Sequence, residues 1–84
     1  VNRVFALSTR GRSEFYRARF AAGDAFIFGP ETRGLPDALL ADMAPERVLR
    51  LPMRPDNRSL NLSNSAAVVL YEAWRQCDFA GAVR

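Results

Sequence analysis

The run AFIFG, Ala25 to Gly29, constrains the fold more than any other part of the sequence. A continuous apolar run of strand length, ended by glycine, fits a strand buried on both faces, as in parallel sheets covered by helices. RVFAL, Arg3 to Leu7, and VLRLPM, Val48 to Met53, are short apolar runs of the same kind. LPDALLADM, Leu35 to Met43, lies between the last two and reads as a short helix, with Pro36 and Asp37 suited to its first turn. Strand, helix, strand in this order argues for an α/β fold with a parallel sheet.

The remaining segments complete that outline. STRGRS reads as a loop, and SEFYRARFAAGD, Ser13 to Asp24, as a helical turn or an irregular connection. RPDNRSLNLSNS, Arg54 to Ser65, is dense in residues that favour turns and caps, so it is not a regular strand. AAVVLYEAWRQC then has apolar residues at helical spacing in two series, Ala66, Leu70, Ala73, Cys77 and Ala67, Tyr71, Trp74. Ser59, Asn61 and Ser63 are candidate N-caps for that helix.

Size and composition narrow the function classes. A chain of 84 residues is one small domain, and such a domain buries only about 60% of the surface its unfolded form exposes. All 12 basic residues are Arg, against 9 acids. Arg suits bidentate phosphate contacts and base stacking, so a nucleic-acid partner is allowed, although a modest surface excess also serves solubility. With one Cys and no His, an intramolecular disulfide, the usual zinc sets and the Ser-His and Cys-His nucleophilic devices are all excluded. No apolar stretch approaches a membrane span and VNRVFALSTR lacks a signal-peptide h-region, so a cytosolic (cytoplasmic) location is expected. The start at Val1, without Met, suggests a fragment of something longer.

Open α/β sheets hold ligands beyond the carboxyl ends of their strands. The loops to inspect therefore follow Leu7, Phe28 and Leu51. GPETRG in the second has two glycines spaced as in a phosphate loop, yet Leu35 and Pro36 occupy the Lys and Ser/Thr positions. A G-x-G-x-x-G fingerprint is absent too. What remains is Gly29, a rigid Pro30, an acid at Glu31 and a base at Arg33; alone, this reads as a strand-to-helix turn with solvated charges. The many small polar groups of NRSLNLSNS ahead of one helix exceed what capping needs.

Together, FGPETRGLP, LPM and RSLNLSNSAAVVLYEAWRQ resemble motifs 2 and 3 of the SPOUT superfamily of S-adenosyl-L-methionine-dependent RNA methyltransferases, in its TrmL-type tRNA (cytidine/uridine-2′-O) branch. The likeness runs from about Arg3 to Val83. It implies a SPOUT-type α/β knot, a parallel sheet flanked by helices with a deep trefoil knot, of which residues 1–84 are the C-terminal part of a single domain. The N-terminal part, with motif 1 and a catalytic Arg, is then expected before Val1.

The resemblance further implies cofactor contacts at Leu7, Gly29, Leu51 and Ser59, with Met53 and Leu60 as further walls. Glu31, Arg33 and Asn61 are expected to orient the reacting groups. Tyr71 is expected to touch RNA or the partner subunit, or else to be a core aromatic. Core packing is the alternative for Leu7 and Leu51. The implied activity is 2′-O-methylation of tRNA ribose at the wobble cytidine or uridine, by a homodimer and without metal. A non-catalytic RNA-binding or dimerisation module that keeps the knot is the alternative.

Overall fold

The computed structural model describes residues 3–29, 34–52 and 62–83. Its strands are β1 (Val4–Leu7), β2 (Ser13–Glu14), β3 (Ala25–Phe28) and β4 (Val48–Arg50); its α-helices are α1 (Asp37–Asp42) and α2 (Leu62–Gln76). Two single 3₁₀ turns, Phe15–Arg17 and Pro45–Arg47, complete the order. The strands form one sheet in the order β2-β4-β1-β3, and every pairing is parallel. The expected α/β fold with a parallel sheet is therefore observed. Among the described residues no helix is long and apolar enough to cross a membrane.

Three details differ from the sequence reading, each for a physical reason. The segment read as a turn or connection contributes the edge strand β2. Its two residues pair with Leu49 and Arg50, Ser13 Oγ donates to the Pro45 carbonyl at 3.1 Å, and Glu14 pairs with Arg50. Strand β3 is only half-buried along its whole length, because it lies at the other edge rather than inside the sheet. Strand β4 ends at Arg50, ahead of Pro52, which has no N–H to donate and restricts Leu51 before it. Met53, the expected end of that strand, lies outside the described residues.

The sheet carries an aromatic core. Phe5, Leu7, Phe15, Phe20, Leu49 and Val69 are buried together, with Ala18, Phe26, Phe28, Leu51 and Ala73 packed against them. Phe20 meets Phe5 edge-on at 5.1 Å and Phe26 at 5.1 Å, arrangements that aromatic quadrupoles favour. Arg3 closes one end of this cluster. Its Nε and Nη2 donate to the two Asp24 oxygens at 3.1 and 2.7 Å, and the Ala21 N–H donates to Asp24 Oδ2 at 2.8 Å. The Asp24 side chain is only 2% exposed, and the hydrogen bonds from Arg3 hold its carboxyl below the usual range. The link ties the start of β1 to the turn that precedes β3.

Neither apolar series of α2 faces the sheet as a whole; the buried face centres on Val69, which is in neither. Val69 is fully buried and Ala73 packs on the core, whereas Leu70, Tyr71 and Trp74 are exposed. Gln76 holds this face down. Its Oε1 accepts from the Phe20 N–H at 2.7 Å and its Nε2 donates to the Ala18 carbonyl at 3.1 Å, so one amide satisfies two main-chain groups of the 18–20 segment. Glu72 accepts from Gln76 and from Arg75. Ser63 lies inside the helix rather than capping it; Ser59 and Asn61 lie outside the described residues.

The connection from β1 to β2, residues 8–12, passes across β4, the strand that separates them in the sheet. At the crossing a Cβ on Gly11 would stand 2.6 Å from the Leu49 carbonyl carbon and 2.9 Å from the Arg50 nitrogen. Those are main-chain atoms in a ladder and cannot step aside. Gly11→Ala is therefore expected to cost about 2 kcal/mol of folding stability, as overpacking against an unyielding backbone does; urea unfolding of the two proteins measures it.

Acid sensitivity follows from Glu72, whose carboxyl is lowered to about 2, chiefly by the hydrogen bond from Arg75 and then by that from Gln76. A carboxylate with a depressed folded-state pKa adds stability above its unfolded value, near 4.3, which is lost as the pH falls toward about 2. Glu72→Gln is expected to flatten this part of the stability profile and leave the slope above pH 5 unchanged. Unfolding midpoints taken across that range provide the check.

Candidate functional site

The strand register brings the loops of interest together. Leu7 lies opposite Phe28 on one side and opposite Leu49 on the other. Parallel strands β4, β1 and β3 thus end level with one another, and the segments after Leu7, Phe28 and Arg50 leave the sheet at one edge. This is the carboxyl edge at which α/β sheets hold ligands. The first loop is itself closely tied down. Its Ser8 N–H donates to the Leu49 carbonyl at 2.9 Å and its Gly11 N–H to the Ser8 carbonyl at 3.1 Å. Ser8 Oγ accepts from the Arg10 N–H at 3.0 Å.

Of the residues expected to line a cofactor pocket, Leu7, Gly29 and Leu51 fall within the described residues, and all three lie at this edge. The two leucines direct their side chains into the core, so they serve as its upper layer and leave main-chain groups to face the edge. Glu31, Arg33, Met53, Ser59, Leu60 and Asn61 lie outside the described residues.

Gly29 has a reason for being glycine that the sequence did not show. A Cβ there would overlap the main chain of Gly34 and Leu35. The main chain of Gly34 and Leu35 lies against Gly29, and that close approach by itself requires glycine there. Gly34 has φ +70 with open space around it, a conformation glycine adopts at little cost. Leu35, next along, is buried.

Two contributors escaped the sequence reading. Arg10 Nη2 donates to the Leu35 carbonyl at 2.7 Å, and its Nη1 is paired with Asp37. The loop after β1 thereby grips the segment after Gly34. Gln76 is the other, as the clip that seats α2. An arginine in a Gly-flanked loop reads as solvated, and nothing in the sequence marks a main-chain carbonyl as its partner.

Tyr71 is 62% exposed, which removes the core-aromatic alternative. Its ring meets Trp74 at 5.9 Å and Phe79 at 5.4 Å, and Trp74 meets Phe79 edge-on at 5.0 Å. The trio stands on the outer face of α2. Trp74 Nε1 donates to the Ala80 carbonyl at 2.9 Å, while Asp78 and Phe79 turn through positive φ to end the helix and fold Phe79 back.

Residues 2–71 match the model of the SpoU rRNA Methylase family. The chain belongs to this family. A relative from Methylovorus glucosotrophus named tRNA (cytidine(34)-2'-O)-methyltransferase is 63% identical, over 96% of this chain and 53% of its own length. The Escherichia coli K12 protein of the same name is 51% identical, over 96% of this chain and 52% of its own. A solved structure described as giving insight into 2-OH methylation of C/U34 on tRNA superposes with a TM-score of 0.82 at 49% identity, over 90% of this chain and 48% of that one. The SpoU chain thus spans about half the length of the curated relatives it matches. These shares measure extent, and the expected C-terminal placement is not carried by them.

Loop closure and ligand contact are separable at Gly29. Gly29→Ala is expected to lower folding stability by about 2 kcal/mol with no ligand present, because the added carbon meets backbone. Thermal unfolding of the ligand-free protein tests this; an unchanged midpoint would return Gly29 to the role of a ligand contact alone.

Proposed function

We propose that this SpoU-family chain carries the methyl-donor loops of a tRNA 2′-O-methyltransferase that acts on the wobble nucleotide, with S-adenosyl-L-methionine as donor. The observation that carries the reading is the level carboxyl edge of β4, β1 and β3, with Leu7, Gly29 and Leu51 side by side on it. The names of the relatives supply the substrate class.

The donor set suits an adenosine: main-chain N–H and C=O groups beyond the ladder ends match the edge of a neutral purine, with the core-packed Phe28 and Leu51 side chains beneath them. When bound, S-adenosyl-L-methionine would supply an electrophilic methyl. The protein's share is to hold the ribose 2′-OH in line with it, to exclude water, and to place a group that takes the hydroxyl proton. Gly29 and Leu35 would shape the loop that faces the donor, with Ser59, Met53 and Leu60 completing the pocket. Glu31, Arg33 and Asn61 would orient the ribose and its phosphates.

The wider reading is a cytoplasmic homodimer whose domain, residues 1–84 included, is an α/β knot. The close passage of residues 8–12 over β4 supports the knot, because β4, made later in the chain, lies beneath a connection already formed. Tyr71, exposed on α2, would meet RNA or a partner subunit.

Calorimetric titration with S-adenosylhomocysteine, followed by a methyl-transfer assay on tRNA, tests the function. Saturable one-to-one binding and transfer to the ribose of nucleotide 34 are expected. A folded sample that does not bind would sink the pocket. Binding without transfer would favour the non-catalytic module.

A further inference from the structure

We propose that Tyr16 and Arg17, with Arg12, hold unpaired RNA of the tRNA substrate at the carboxyl edge of the sheet. The inference rests on the tRNA methyltransferase reading and names a surface through which that substrate is held. It starts from where the charge lies. Residues 10–19, RGRSEFYRAR, contain four arginines and one glutamate, an excess of three. The whole chain has 12 basic residues against 9 acids, also an excess of three. The rest of the chain is therefore balanced, and the basic excess is gathered in this one segment.

Two of the four arginines are occupied. Arg10 is paired with Asp37 and bound to the Leu35 carbonyl, and Arg19 lies within electrostatic reach of Glu72. The one acid, Glu14, is taken by Arg50. Arg12 and Arg17 are exposed, and among the described residues neither has a carboxylate in ion-pair contact. Tyr16 is 56% exposed, and the Arg17 guanidinium stands over its ring, 5.7 Å from the centroid.

The turn that presents this pair is anchored on both sides. Phe15 and Phe20 are buried in the core, the Ala18 N–H donates to the Phe15 carbonyl at 3.1 Å, and Gln76 holds the main chain of Ala18 and Phe20. Strand β2 ends level with β4, Glu14 opposite Arg50, so the turn leaves the sheet at the same carboxyl edge as the loops after Leu7 and Phe28. Unpaired bases stack on aromatic rings and on guanidinium planes, and their phosphates take arginine. A duplex would use the charges and leave the ring idle. An exposed ring beside two unengaged arginines therefore fits a single-stranded segment such as the anticodon loop.

Binding of a labelled, unmodified tRNA transcript is measured by fluorescence anisotropy at several salt concentrations, for the unaltered protein and for Tyr16→Ala, Tyr16→Phe, Arg12→Gln and Arg17→Gln. Unfolding midpoints and S-adenosylhomocysteine titrations accompany each. Tyr16→Ala is expected to bind tRNA about tenfold more weakly, the ratio for loss of one base stack, with its salt dependence kept. Tyr16→Phe retains the ring and is expected to retain the affinity. Each arginine variant is expected to make the slope of log affinity against log salt shallower by about 0.7, as for one phosphate of a single strand. All four should keep the unaltered midpoint and the unaltered affinity for S-adenosylhomocysteine.

Unchanged tRNA affinity in Tyr16→Ala, an equal loss in Tyr16→Phe, or an unchanged salt slope in both arginine variants would each overturn the proposal. So would a fall in midpoint that accounts for the lost affinity, or an unaltered protein that binds no tRNA. Should the unaltered protein fail to bind S-adenosylhomocysteine while its tRNA affinity still depends on Tyr16, the methyl-donor reading fails and the RNA surface stands.

Discussion

Strand β4 lies between two parallel strands that residues 8–12 join directly, so that connection has to run against its backbone. Parallel strands ordinarily need a crossover of a dozen or more residues. Here the crossing is made short by contact: Gly11 has no side chain to hold it away from Leu49 and Arg50, and the Ser8 N–H takes the Leu49 carbonyl. The same contact that lets the sheet close also sets the height of the loop at its carboxyl edge. Everything placed at that edge inherits its position from β4.

A second consequence concerns the core. With short strands and few fully buried side chains, burial has to come from large ones, and Phe5, Phe15, Phe20 and Phe26 supply it. Phe20 reaches the centre of the cluster only because the 18–20 segment is held in place, and that hold is the Gln76 amide at the end of α2. The helix contributes one fully buried residue, Val69. Its seating therefore depends as much on satisfying two backbone groups as on apolar area. The unused apolar face, with Tyr71 and Trp74, is free to take another role.

The parts of the fold that were legible in the sequence are those in which a local pattern decides the outcome. Val4 to Leu7, Ala25 to Phe28 and the α1 segment each have such a pattern. Strand β2 was not legible, because two residues have no period and exist as a strand only through Arg50 and Leu49. The depth of β3 was misread since an apolar run shows strand character without showing where in the sheet it lies. In α2 both apolar series had helical spacing, yet the face that packs centres on Val69, which is in neither series, and is clipped down by Gln76, a polar residue. At the site, the carboxyl-edge rule found Leu7, Gly29 and Leu51, whereas Arg10 was missed, its partner being a carbonyl 25 residues away.

Gly11 and Gly29 show how one residue type can serve the same end at two levels. Each is glycine because a piece of main chain passes where its Cβ would be, and in neither does a ligand need to be invoked. On the proposed reading, these two crossings set main chain that a methyl donor would meet. A pocket made this way presents main-chain groups whose positions are set by backbone against backbone, with little side-chain freedom to lose on binding. Such a site is preorganised at the cost of tolerance. A single added carbon at either glycine disturbs the scaffold first and the chemistry through it, so activity and stability should fall together there.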